Sequence, residues 1–182
     1  MKIILSAHFD LAKPVKFIHL DNHNLNGLVD NFAGVFVAYQ AARKTNTEVY
    51  LTNFEEKDLG GAASVAKKLK AEDVLIIVVD TCTDAKNKKA YIGNAYYVDT
   101  QKMKKKFAKD ILFKDGYYEP TEDETAEYGW ESKIPCFFFG VPIQGKYHAT
   151  DNQVSLKTLD QAAQVLSEVI DWITENQVVH RH

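Results

Sequence analysis

Val74-Leu75-Ile76-Ile77-Val78-Val79 is an unbroken apolar run, mostly β-branched, that stops at Asp80. A strand with one wet face alternates apolar and polar residues, so a run without alternation predicts a strand covered on both faces, the pattern of a parallel sheet inside an α/β domain. Working outward, Lys2–Ala7, Glu48–Phe54 and Ile134–Gly140 read as further core strands, with weaker candidates at Ala90–Ala95 and Ile111–Phe113. Helical spacing is read over Phe32–Arg43, Gly60–Lys70, Thr100–Lys109, Glu122–Trp130 and Leu156–Ile173, the first opened by Asp30-Asn31 at a natural N-cap. Asp10–Gly27 is polar, contains Pro14, and reads as loop with an extended piece near Phe17–Leu20. Strands alternating with helices predict a three-layer α/β/α architecture around a mainly parallel mixed sheet.

The chain has 182 residues, enough for one sizeable core, and residues 1–182 are read as one domain. A formal charge of −3 gives no electrostatic case for nucleic acid, and no apolar stretch is long enough for a bilayer. The basic run Lys102–Lys109 has the spacing of a solvated helix face. Cys82 and Cys136 sit in or beside apolar strand-like segments and read as small hydrophobes. The opening residues are too short for a signal h-region, so a cytoplasmic, reduced setting is expected.

In a parallel sheet the functional crevice lies beyond the carboxyl ends of the strands. His8 ends the first predicted strand, Glu55-Glu56 the second in the sequence, and Asp80 the third. Two imidazoles and three carboxylates, from His8, Asp30, Glu56, Asp80 and His148, form a donor set suited to two divalent ions, with Asp30 able to offer one oxygen to each. Neighbouring Glu55 and Glu56 leave the backbone in different directions, so one can bind metal while the other works on water. Asp10, two residues beyond His8, could accept the spare ring N–H of that imidazole. Each residue alone has an ordinary structural reading; their joint placement at one sheet edge carries the argument.

These residues also stand in a familiar order: Ala7-His8-Phe9-Asp10, Gly27-Leu28-Val29-Asp30-Asn31-Phe32-Ala33-Gly34, Asn53-Phe54-Glu55-Glu56 with Gly60, Val78-Val79-Asp80, and Gly145-Lys146-Tyr147-His148. In order and spacing they resemble the motifs of the co-catalytic zinc exopeptidases, which include bacterial leucyl aminopeptidases and glutamyl-aminopeptidase-like enzymes. The resemblance implies a zinc-exopeptidase-like fold and a zinc-dependent hydrolase of aminopeptidase type acting on a peptide or small amide. It implies His8 and Asp80 on one ion, Glu56 and His148 on the other, Asp30 bridging, Glu55 as general base, Asp10 orienting His8, and a cis Asp30–Asn31 peptide. Zinc suits the two imidazoles best, while cobalt or manganese fits similar ligands.

The chain departs from that family in length. Its members are usually much longer, with extra strands before the His-x-Asp strand and often a lid or dimerisation domain between that motif and the bridging Asp, and here nineteen residues separate Asp10 from Asp30. A minimal domain with an open crevice is a candidate for homo-oligomerisation. Tyr117–Glu127 occupies the place of a substrate-side loop; Asp123 and Thr125 could approach the site, although its acids read better as helix capping. His19 and His23 read as surface loop residues, and His180 and His182 as tail. Two other readings stay open: a catalytically inactive metal-binding or assembly subunit on the same fold, and a flavodoxin-like nucleotide-binding domain, which lacks a glycine-rich loop after the first strand.

Overall fold

The computed structural model describes residues 1–85, 87–114 and 123–180. Its main sheet is built from β1 (Lys2–His8), β4 (Glu48–Thr52), β5 (Val74–Cys82), β6 (Ala90–Tyr96), β7 (Ile111–Phe113) and β8 (Cys136–Pro142), in the order β4-β1-β5-β8-β6-β7. β4, β1, β5 and β8 run parallel, β6 is antiparallel to β8, and β7 is parallel to β6. The four parallel strands therefore send their carboxyl ends to one edge.

Both faces are covered, as the run at residues 74–79 requires. In β5 Leu75, Ile77 and Val79 pack into one apolar cluster, and Val74, Ile76, Val78 and Cys82 into another. The first cluster is closed by α1 (Phe32–Thr45), α3 (Thr100–Phe107) and α4 (Leu156–Glu175), the second by α2 (Gly60–Ala66) and a π-helical turn at Ala126–Glu131. This is the expected three-layer mixed α/β architecture. Cys82 and Cys136 are buried free thiols. On α3, Met103 and Phe107 face inward, with Phe107 edge-on to Trp172 of α4, while Lys102, Lys105 and Lys106 face solvent. Among the described residues no helix is long and apolar enough to cross a membrane.

The structure shortens and re-forms some expected elements. The α2 segment leaves α-helical geometry after Ala66, because Lys68 and Leu69 donate to carbonyls three residues back, at Val65 and Ala66. The helix expected at Glu122–Trp130 appears as the wider π turn over Ala126–Glu131. The polar stretch before Asp30 contains β2 (His19–Leu20) and β3 (Asn24–Gly27), which join β9 (Asn152–Ser155) in a small antiparallel sheet. That sheet is mostly polar, with Gln153 Nε2 donating to Asn26 Oδ1 at 2.8 Å, and its β3 and β9 strands each give one apolar residue, Leu25 and Val154, to the core, too few to mark it in the sequence. It ties the segment leading into Asp30 to the segment following His148.

Candidate metal centre

Asp30 and Asn31 sit where β3 passes into α1, joined by a cis peptide bond. Asn31 caps the helix with its side-chain oxygen, which accepts from Gly34 N at 2.9 Å, while its Nδ2 donates to Val79 O of β5 at 2.9 Å. One side chain thus fastens the helix N-terminus to the central strand and fixes the backbone beside Asp30. Gly34 is required by closeness: a Cβ there would lie 2.0 Å from Asn31 Oδ1 and 2.6 Å from Val79 O.

His8 ends β1 and is 2% exposed. Its Nε2 lies 3.4 Å from Asp30 Oδ1, 3.4 Å from Asp80 Oδ1 and 3.9 Å from Glu55 Oε2. Glu55 and Glu56 project from a turn after β4 that begins with Phe54 at φ 68°, closed by N–H groups of residues 57–59 donating to Phe54 O. Asp10 receives that turn through the backbone N–H groups of Glu55 and Glu56, each at 3.2 Å, one on each carboxylate oxygen. The same carboxylate faces His8 Nδ1 at 3.5 Å without an aligned hydrogen bond. His148 arrives from the loop between β8 and β9, half exposed and at φ 56°, with Nε2 3.3 Å from Glu56 Oε2 and 3.7 Å from Asp30 Oδ2.

The residues singled out from the sequence, His8, Asp10, Asp30, Glu55, Glu56, Asp80 and His148, thus meet at the carboxyl edge of the sheet. Ligand atoms of His8, Asp30 and Asp80 all fall within 4.8 Å of one another, as do those of Asp30, Glu56 and His148 and those of His8, Glu55 and Glu56. Asp30 belongs to two of these groups. Burial alone would disfavour the His8 imidazolium, but the charge of Asp80 and the facing Asp30 outweigh it and push its pKa up to about 12. Burial, then the Asp80 charge, raises Glu55; burial, then the Asp30 charge, raises Asp80. The cluster holds more negative charge than one imidazolium can neutralise, and Asp30 Oδ1 and Glu56 Oε1 are buried acceptors with no hydrogen-bond partner. Nitrogen and oxygen donors so arranged fit divalent cations.

Beside these groups opens a cavity of about 390 Å³ whose further walls include Cys82, Tyr91, Asn94, Asp123, Phe138 and Tyr147. Of the substrate-side residues considered in the sequence, Asp123 lines this cavity, whereas Thr125 is buried and does not; Tyr117–Glu122 lies outside the described residues. The aromatic walls were not foreseen. The available signal was Gly93-Asn94 inside a predicted strand, which marks the bulge where the β6–β8 register shifts and Asn94 takes φ 44°. His19 and His23 stay exposed and apart from the cluster, His180 is exposed, and His182 lies outside the described residues.

No family model matches the chain, and no curated protein matches it in sequence. Solved structures do match in fold. The TET1 peptidase of Pyrococcus horikoshii is 18% identical with a TM-score of 0.59, over 84% of this chain and 52% of that one. A TET aminopeptidase from a marine sediment archaeon of the Thaumarchaeota is 18% identical with a TM-score of 0.61, over 84% and 51%. An aminopeptidase from the archaeon Desulfurococcus kamchatkensis is 15% identical with a TM-score of 0.61, over 91% and 55%. At these identities the likeness is one of fold, and the chain spans about half the length of the structures it matches.

Proposed function

We propose that the chain is a metallohydrolase of aminopeptidase type, cleaving a peptide or small amide with two divalent ions, zinc being the native metal. The observation that carries this reading is the division of Asp30, whose Oδ1 faces His8 at 3.4 Å while its Oδ2 faces His148 at 3.7 Å. His8 and Asp80 would hold one ion, Glu56 and His148 the other, and Asp30 would span both. The aminopeptidase names of the fold neighbours support the same reading.

When bound, the ions would supply Lewis acidity toward the scissile carbonyl and toward water. The remaining chemistry falls to the chain's own groups. Glu55 would be the general base, taking a proton from the attacking water and delivering it to the leaving amine; the 3.9 Å between its Oε2 and His8 Nε2, beside the ligand cluster, supports that role. Asp10 is a positioning residue that fixes the Glu55-Glu56 turn and faces the far nitrogen of His8. The cavity beside the cluster gives the substrate a partly enclosed seat.

The test is elemental metal content of protein purified without chelator or affinity tag, followed by hydrolysis of aminoacyl amides and short peptides by the wild type and Glu55→Gln. About two zinc ions per chain, with turnover falling by about 10²–10⁴-fold in the variant, is the expected result. Metal without turnover would instead favour an inactive metal-binding or assembly subunit, and no metal under any loading condition would overturn both readings. We also propose a cytoplasmic setting and a homo-oligomer, the latter because the Pyrococcus horikoshii TET1 peptidase can assemble into a tetrahedron or a large octahedral shell. Light scattering of the purified chain decides the oligomer; a monomer would refute it.

A further inference from the structure

Resting on that reading, we propose that the cavity beyond the ligand cluster is a side-chain subsite for a long cationic residue, lysine or arginine, at the amino end of the substrate.

The floor of this half of the cavity comes from three neighbouring strands. Cys82 of β5, Phe138 of β8 and Tyr91 of β6 line it, and the Tyr91 and Phe138 rings meet edge to face at 5.9 Å. Gly140 keeps the space between them: a Cβ there would stand 2.6 Å from Cys82 Cβ and 2.9 Å from Phe138 Cε1. Aromatic walls of this kind suit the methylene stem of a lysine or arginine and its cationic end alike. A volume of about 390 Å³ accommodates an amino-acid residue with a long side chain.

The charge on the walls sets the sign of the ligand. Asp123 lines the cavity at 5% exposure, and its two oxygens accept from neutral donors, Thr125 N at 2.6 Å and Asn94 Nδ2 at 2.5 Å. With the Thr125 hydroxyl also bonded to it, the carboxylate still has acceptor capacity left, since its two oxygens offer about four lone pairs. Asp84 adds a second carboxylate on the same half, and no lysine or arginine stands among the described lining residues. A substrate carboxylate would meet like charge and a neutral alkyl chain would leave Asp123 without a cation, whereas an ammonium or guanidinium completes it.

The experiment compares kcat/KM for lysine, arginine, norleucine, leucine and glutamate amides on the zinc-loaded full chain, together with calorimetric binding of lysine amide and norleucine amide. Norleucine amide is the uncharged match of lysine in stem length. We expect lysine over norleucine by about tenfold or more in both readouts. That ratio should fall toward one in Asp123→Asn and shrink in Asp84→Asn, the second variant serving where the first does not fold. A wild-type ratio of one or below, a preference for glutamate, or a ratio untouched by both substitutions would overturn the subsite. If no amide is hydrolysed, the hydrolase reading fails by itself, and the calorimetric ratio still decides the subsite.

Discussion

Asp10 grips His8 and the glutamate turn together: its Oδ1 lies 3.5 Å from His8 Nδ1, and its two oxygens take the N–H groups of Glu55 and Glu56 at 3.2 Å. Asn at this position keeps the shape but presents an amide donor where two backbone donors need acceptors. Asp10→Asn is therefore expected to weaken metal affinity by about 10–100-fold, the usual scale for losing a carboxylate behind a ligating imidazole. Competition against a chromogenic zinc chelator measures it; unchanged affinity would make Asp10 a bystander.

Chelation should cost stability. Each ion that binds only the folded chain contributes about 4 kcal/mol at a thousandfold excess over Kd, so the two together contribute about 8 kcal/mol. For a chain of this size that corresponds to a fall in Tm of roughly 20 °C on adding excess chelator. Scanning calorimetry of loaded and stripped protein reads this directly, and identical melting curves would argue against tight binding.

Gly34→Ala tests the clasp between α1 and β5. The added methyl would displace the Asn31 carboxamide from its bonds to Gly34 N and Val79 O. Overpacking of this kind costs about 1–3 kcal/mol, and the disturbance sits one residue from Asp30. Urea denaturation should show the loss, with metal content falling in parallel. Retention of both would mean the clasp is dispensable.

A carboxyl buried beneath the centre supplies a pH signature. Glu124 is 1% exposed and accepts from Ser6 Oγ at 2.8 Å, and Ser6 in turn meets the Tyr128 hydroxyl at 2.9 Å. Burial raises its pKa, with the Thr52 and Ser6 hydroxyls pulling it back, His8 lowering it and Asp123 raising it. The folded state therefore binds more protons than the unfolded chain: the neutral form's stability is fully present below the ordinary carboxyl range and is lost as pH rises toward the folded value. Glu124→Gln removes the charge, so its stability relative to wild type should improve from pH 4 to pH 7.5. Urea melts of metal-free protein at both pH values give the comparison, and a difference that is flat or reversed would contradict the buried-charge account.

Legibility from sequence followed the physics. The run at 74–79 betrayed a doubly covered strand because no residue in it could face water, and Asp80, His8 and Glu55-Glu56 were legible because each follows a stretch that must be strand. Asn31 was legible as a cap, but its second bond to Val79 O depends on which strand lies beneath the helix. The extended piece near Phe17–Leu20 is where β2 lies, whereas β3 and β9 escaped notice because each is four residues long with a single apolar residue, Leu25 or Val154, and they pair across long sequence separation. The cavity walls needed topology: Tyr91 and Phe138 meet only because β6 turns antiparallel to β8.

The alternation along β5 has a bearing on how this protein can change over time. Its odd residues feed one core and its even residues the other, and Asp80 falls in the even set with Val78 and Cys82. Substitutions in the strand can accumulate one at a time. A single inserted or deleted residue between Val74 and Asp80 would exchange the two sets and swing the acid under the helices. Among descendants that retain the acid at the crevice, length changes in this strand should therefore come in pairs or not at all.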